Sequence, residues 1–251
     1  MPRTTAKAGS KKPVRVIEQL PKDLHGHIYY GLTLDEEQIR FGNCILDENI
    51  RCVFCNAKAG SGKTTIAVAT AVMLVESGLY SNIVYCTHSV GDAQGFLPGT
   101  ISEKSEVWFE GLYQSLTTAN CQPEKVITDS NIVNMKTGTG FVKAVTDTYL
   151  RGSTIGNEER TVFIIDEAQN FDEHSLRKTL TRATDNAKVI VIGHTGQVDL
   201  QNKGASGFAK CMRHFEEKRD PRFAFCELVT NHRGLVSRTA DEEWQYGRRT
   251  E

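Results

Sequence analysis

Residues 56–65, NAKAGSGKTT, set glycines, a lysine and hydroxyls at the spacing of a loop that holds a triphosphate. Gly60, Gly62, Lys63 and Thr64 match the end of the pattern G-x-x-x-x-G-K-[ST]. Glycines let bare backbone N–H groups wrap around phosphate oxygens. The positive end of a helix starting near Lys63 strengthens the attraction. On this pattern Ala57, Lys58, Ala59, Gly60, Ser61, Gly62, Lys63, Thr64 and Thr65 cradle a nucleotide triphosphate. Lys63 reaches the β and γ phosphates and Thr64 holds Mg²⁺. Ala57 stands where the pattern has its first glycine, which is tolerable if that residue keeps ordinary backbone angles.

Three further stretches suit the same chemistry. TVFIIDEAQN, residues 161–170, is an apolar strand that delivers two acids to its end. Asp166 can hold Mg²⁺ through water, and Glu167 can polarise the attacking water. Gln169, a turn further on, is placed to feel the γ-phosphate or that water. KVIVIGHTGQ, residues 188–197, is a second apolar strand ending in a polar loop. Gln197 is a candidate γ-phosphate sensor, because an amide donates and accepts at once. His194 has three open readings: phosphate sensing, nucleic-acid binding, or a plain loop hydrogen bond. ELVTNHRG, residues 227–234, places Arg233 after a third strand. A guanidinium on the γ-phosphate is worth about 10³–10⁵ in rate in other nucleotide hydrolases. Arg151, Arg177 and Arg182 compete for that role. The paired acids favour water activation, hence hydrolysis, over transfer to a small-molecule acceptor.

Around these stretches, strands and helices alternate along the chain. Helical spacing covers residues 34–49, 63–77, 103–117, 172–184, about 205–218 and about 234–246. Short apolar strands cover 51–57, 82–87 and 223–228, and buried strands lie in 161–170, ending in acids, and in 188–197, running into a polar loop. Residues 91–101 read as loop, and 118–140 give only turn signals. Gly78 closes the helix after the phosphate loop. Continuous Val/Ile runs predict a parallel sheet covered on both faces. Ligands of such sheets bind beyond the carboxyl ends of the strands. The polar loops should therefore meet on one edge.

Composition is that of an ordinary globular chain: 251 residues, 39% hydrophobic, 24% charged, net charge −1. The balance advertises no global nucleic-acid field. Residues 1–15 carry Arg3, Lys7, Lys11, Lys12 and Arg15 without an acid. Their composition predicts a disordered tail, either solubilising or phosphate-seeking. Residues 16–251 read as one domain. No apolar run reaches the ~20 residues that span a membrane. Seven scattered cysteines fit free thiols and a cytoplasmic setting. Cys52 and Cys55 are three apart on a strand, so they face opposite sides and read as core.

The order of AGSGKT, GFLPG, YLRGST, FIIDEAQN, LTRAT and GQVDL resembles the PhoH-like ATPase family over about residues 33–245. The frame is similar to the first motor domain of superfamily 1 helicases. LVTNHR (228–233) resembles a helicase motif with an aromatic at the position of His232, and TLDEEQ (33–38) resembles an upstream glutamine motif. The resemblance implies an α/β RecA-like phosphate-loop NTPase fold, with ATP and Mg²⁺ as ligands and adenine contacted by Gln38. It implies helicase-like work on single-stranded RNA or DNA, the alternative being an ATP-driven regulatory switch. It also implies a homo-oligomer, for example a hexameric ring. Candidate strand contacts are His88, Ser89, Lys136, Lys143, Tyr149, Arg151 and the basic tail. Three positions depart from the family. Ala57-Lys58 replaces Gly-Pro, His194 replaces an acid, and the family's late arginine often falls at the position of His232.

Overall fold

The computed structural model describes residues 20–88, 109–128, 140–150, 152–197, 204 and 206–241. The basic tail, the 91–101 loop, Ser89, Lys136 and Arg151 lie outside the described residues.

Six strands form one sheet: β1 (Cys52–Ala57), β2 (Asn82–Thr87), β3 (Val142–Thr146), β4 (Thr161–Ile165), β5 (Ala187–Gly193) and β6 (Phe223–Leu228). Their order is β3-β2-β4-β5-β1-β6, and every pairing is parallel. All carboxyl ends therefore share one edge, as the Val/Ile runs predict. β4 and β5 are buried along their whole length. Successive strand residues serve opposite cores. Ile83, Tyr85, Ile164 and Ile190 face one, and Phe54, Phe163 and Val191 face the other. Helices α1 (Glu36–Leu46), α2 (Lys63–Glu76) and α3 (Glu110–Thr118) cover the first core. Helices α5 (Glu173–Leu180) and α6 (Phe208–Glu216) cover the second. The single-turn α4 (Pro123–Val126) and the final α7 (Leu235–Asp241) complete the set. This is the RecA-like arrangement, in which one strand separates the phosphate-loop strand from the strand that delivers the acids.

α2 is apolar all round and buried from Ile66 to Val75, as befits a helix enclosed by sheet and neighbours. It stops at Ser77, and Gly78 takes φ +78°, the left-handed closing geometry expected of it. α1 starts with a capping box: Asp35 accepts from the Gln38 N–H, and the Gln38 side chain accepts from the Asp35 N–H. α5 ends at Leu180, short of the expected 184, because residues 181–184 turn to meet Ile155.

β3 is absent from the sequence expectation. It is an outer strand with Lys143 exposed and Ala144 half-buried, so it lacks the continuous apolar run of a central strand. Cys52 and Cys55 do pack on opposite faces of the sheet, and all seven cysteines are free. No described helix is long and apolar enough to cross a membrane. No group of possible metal-ligating His, Cys, Asp and Glu occurs among the described residues.

Candidate nucleotide site

The phosphate loop leaves β1 and turns into α2. Ala57 is the last strand residue, pairs with Leu228 and is 1% exposed. It is not among the residues with positive φ, and its methyl belongs to the first core. The sequence condition on Ala57 is thus met. Gly60 and Gly62 take φ +73° and +83°, where a side chain is strained. A Cβ on Gly60 would also lie 2.5 Å from Asn231 Oδ1 and 2.9 Å from Arg233 Cγ. Ser61 braces the loop by donating its N–H and hydroxyl to the Lys58 carbonyl. No acceptor among the described residues takes the N–H groups of Gly60, Gly62, Lys63 or Thr64. These are orphan donors of a helix start, aimed where an anion belongs.

The acids arrive on β4. Asp166 is 2% exposed, and its carboxylate accepts three hydrogen bonds. Thr64 Oγ1 donates to Oδ2 at 2.8 Å, the Tyr85 hydroxyl to the same oxygen at 2.6 Å, and the Glu167 N–H to Oδ1 at 2.7 Å. Burial, then the neighbouring Glu167, raises the Asp166 carboxyl above the usual carboxylate range, and Lys63 and the two hydroxyls only partly offset this. Burial, then the charge on Asp166, likewise pushes the Tyr85 phenol well up, so it donates as a neutral hydroxyl. Glu167 sits at φ 50°, ψ 41°, in the left-handed region that a residue with a Cβ avoids. Its Oε1 lies 3.3 Å from Lys63 Nζ, and its Oε2 accepts from Gln169 Nε2.

β5 lies between β1 and β4, so its outgoing loop lies between phosphate loop and acids. Gln169 is 1% exposed, and its Oε1 accepts the His194 N–H at 2.9 Å. The approach needs Gly193, where a Cβ would lie 2.8 Å from Gln169 Oε1. Asn56 fixes the same loop from β1 by accepting from the Thr195 N–H and hydroxyl. Gln197 is exposed on this loop, joined by its N–H to the His194 carbonyl. His194 Nδ1 is buried without a hydrogen-bond partner among the described residues.

The segment after β6 folds back over the phosphate loop. The His232 N–H donates to the Gly60 carbonyl, and the Arg233 N–H donates to Asn231 Oδ1. Arg233 is exposed, its stem lies against Gly60, and it has no charged partner among the described residues. His232 Nε2 lies 2.7 Å from Asp35 Oδ2, and Glu37 Oε2 accepts from the Val229 and Thr230 N–H groups.

The structure therefore gathers Lys63, Thr64, Asp166, Glu167, Gln169 and Arg233 around one loop. Two expected nucleotide contacts sit differently. Gln38, expected at adenine, is 7% exposed and donates from Nε2 to the Ser61 carbonyl while its Oε1 serves the capping box. Gln169, expected at the γ-phosphate or the attacking water, is buried and donates from Nε2 to Glu167 Oε2. Arg177 and Arg182 lie on and just after α5, apart from this cluster. Sequence reasoning missed Tyr85, Asn56, Asp35, Glu37 and Asn231. Tyr85 gave one usable signal: a phenol near the carboxyl end of an otherwise apolar strand.

The donor set fits Mg²⁺ and a triphosphate. Two adjacent carboxylates share the ammonium of Lys63, a threonine hydroxyl already bonds Asp166, and the loop N–H groups have no acceptor among the described residues.

The sequence profile of the PhoH family, described as PhoH-like protein, matches residues 33–239. A PhoH-like protein of Mycobacterium leprae (strain TN) is 30% identical over 199 residues, 77% of this chain and 53% of that protein. Protein PhoH of Escherichia coli (strain K12) is 31% identical over 191 residues, 74% of this chain and 50% of that protein. The chain thus spans about half the length of the curated relatives it matches. Among solved structures, the Pyrococcus furiosus Hef helicase domain aligns with TM-score 0.44 and 15% identity, covering 79% of this chain and 38% of that one. A Bacteroides Pif1 helicase, solved with ADP-AlF3 and ssDNA, aligns with TM-score 0.36 and 19% identity, covering 81% and 44%. Those superpositions are loose, and the sheet order carries the fold assignment. The profile, by contrast, runs from α1 through β6 and takes in every loop that meets at the site, so the chain belongs to the PhoH-like protein family.

Proposed function

We propose that the chain is a magnesium-dependent ATP hydrolase of helicase-like type that acts on, or is regulated by, single-stranded RNA or DNA. The observation that carries the hydrolase reading is the chain of contacts from Lys63 through Glu167 and Asp166 to Thr64. The loop N–H groups bind the phosphates. Magnesium, when bound beside Thr64 and Asp166, neutralises phosphate charge. Lys63 now holds Glu167 Oε1 at 3.3 Å. A γ-phosphate in the loop competes for that ammonium and frees Oε1 to take a proton from water. Gln169 keeps the other carboxylate oxygen fixed, so the base does not swing away. Gln197 and Arg233, both exposed beside the loop, supply donors to the terminal phosphate.

Phosphate release with and without single-stranded RNA and DNA tests the reading. Lys63→Ala should abolish hydrolysis. Glu167→Gln should keep nucleotide binding and lose turnover by a factor of about 10²–10⁴, the worth of a general base. Retained turnover in Glu167→Gln would refute its role as base. The second reading, an ATP-driven regulatory switch, draws on the bond that ties Gly60 of the loop to His232. Hydrolysis that no strand stimulates favours it.

The same proposal takes residues 16–251 as one domain, a cytoplasmic setting, and a homo-oligomer such as a hexameric ring. A single set of motifs leaves the open side of the site for a neighbour to close. Sedimentation showing a fully active monomer at every concentration would sink the ring.

A further inference from the structure

We infer that the groove between residues 147–150 and α5 binds the sugar–phosphate backbone of a single-stranded nucleic acid, with Lys178 and Arg182 on phosphate and Tyr149 beside the bases. The inference deepens the strand reading and rests on it. Residues 147–150 form a short 3-10 turn that follows β3 at the carboxyl edge of the sheet. Ser175, Lys178, Thr179 and Arg182 stand at i, i+3, i+4 and i+7, one stripe of α5 and the turn that continues it. They face Asp147 and Thr148 across a pocket of about 60 Å³. One water needs about 10–15 Å³ of such space, so the pocket has room for a phosphate. Tyr149, 67% exposed next to the groove, offers its ring to the bases of a strand held there.

Charge favours an anion. Neither Lys178 nor Arg182 has a side-chain partner among the described residues. Among the described residues that line the groove, the carboxylate of Asp147 is already engaged by His88 Nδ1 at 3.1 Å. Hydroxyls of Thr148, Ser175 and Thr179 add donors of the kind that position backbones without reading sequence.

Both walls lead back to the nucleotide site. His88, at the end of β2, holds Asp147 and packs its ring 4.9 Å from Phe171. Phe171 follows the turn that carries Gln169, and Asp172 next to it caps α5 by accepting from the Ser175 N–H. A strand in the groove thus touches elements continuous with Glu167.

Fluorescence anisotropy with labelled oligo(dT) and oligo(U), across a salt titration, tests the assignment. Removing both cations in Lys178→Gln/Arg182→Gln should weaken binding at least about tenfold and flatten the log K against log salt slope by about 1.4, at ~0.7 per lost phosphate contact on a single strand. Tyr149→Ala should weaken binding about 5- to 150-fold, the range of one base stack. The charge-conserving Lys178→Arg/Arg182→Lys should bind as the parent does, which separates lost charge from lost fold. Arg213→Gln/Lys218→Gln removes equal charge on and after α6 and should change neither affinity nor slope. A groove variant with parental affinity and slope, beside a parent that binds strands, overturns the groove alone. A parent that hydrolyses ATP and binds neither oligomer overturns the strand reading and this inference with it.

Discussion

Tyr85→Phe removes one oxygen atom and, on the geometry, should change magnesium dependence more than any other property. The Tyr85 hydroxyl is 2.6 Å from Asp166 Oδ2, and the ring is 3% exposed. Thr64 Oγ1 shares that oxygen at 2.8 Å. When Thr64 turns its lone pairs to a cation, Tyr85 is left as the side-chain donor that fixes the carboxylate. A hydrogen bond to a charged group is worth about 1.5–3 kcal/mol, and phenylalanine refills the site apart from the hydroxyl. Stability without nucleotide should therefore fall by about 1–2 kcal/mol. Orienting partners of metal ligands typically cost about 10–100-fold in metal affinity or activity when removed. The half-saturating Mg²⁺ concentration for ATP hydrolysis should rise by that factor, and much of the rate should return at saturating Mg²⁺. Chemical denaturation gives the first number and a magnesium titration of phosphate release the second. Unchanged magnesium dependence together with unchanged stability would mean that the phenol is only core packing. A rate loss that excess Mg²⁺ does not restore would put its effect on Glu167 instead.

Gly193→Ala should cost about 1–3 kcal/mol by overpacking, because its methyl would meet Gln169 Oε1 at 2.8 Å and Phe208 Cε1 at 3.0 Å. The displaced Gln169 should also lower turnover, since it steadies Glu167; full activity in a folded variant would speak against that link. Lys188 tests the far end of the sheet. It is fully buried, donates to the Asp47 carbonyl at 2.6 Å, and burial lowers its ammonium from 10.5 to about 8. Below that value both folded and unfolded chains carry the proton and the burial cost is fully present. As pH rises from about 8 to the unfolded value, the unfolded chain holds more protons, so stability should rise by up to about 3 kcal/mol, at 1.36 kcal/mol per unit. Denaturation of the parent and of Lys188→Met at several pH values should show this rise in the parent alone, and parallel curves would exclude it.

What the sequence disclosed and what it hid divide along the distance between interacting residues. The loop, the acids and the buried strands declare themselves through neighbours: glycines beside a lysine, Val and Ile beside Val and Ile. The contacts that aim these groups span the chain. Tyr85 and Asp166 are 81 residues apart, Asn56 and Thr195 139, Asp35 and His232 197. The run NIVYCT marks a strand, yet is silent about where the Tyr85 hydroxyl lies. β3 escaped for a different reason. Its outer position lets Lys143 face solvent, which erases the apolar run by which central strands are recognised. The left-handed backbone of Glu167 leaves no mark at all, because glutamate has no preference for that region.

The long-range contacts also bear on how an arginine would reach the site. The first turn of α1 and its cap hold several pieces at once: Gln38 the loop through the Ser61 carbonyl, Glu37 the N–H groups of residues 229 and 230, and Asp35 the ring of His232. Gly60 joins the loop directly to the His232 segment by accepting from the His232 N–H. Arg233 is thus carried by the loop whose phosphate it would meet, and a loop that shifts on filling takes the guanidinium with it. An arginine so tethered serves its own chain. Should neighbouring subunits close the site, the arginine that crosses the interface has to be another residue, and Arg233→Ala mixed with Lys63→Ala chains should regain no activity through Arg233 of the loop-dead subunit. Recovery in such mixtures would show Arg233 acting between chains and would break the tethering argument.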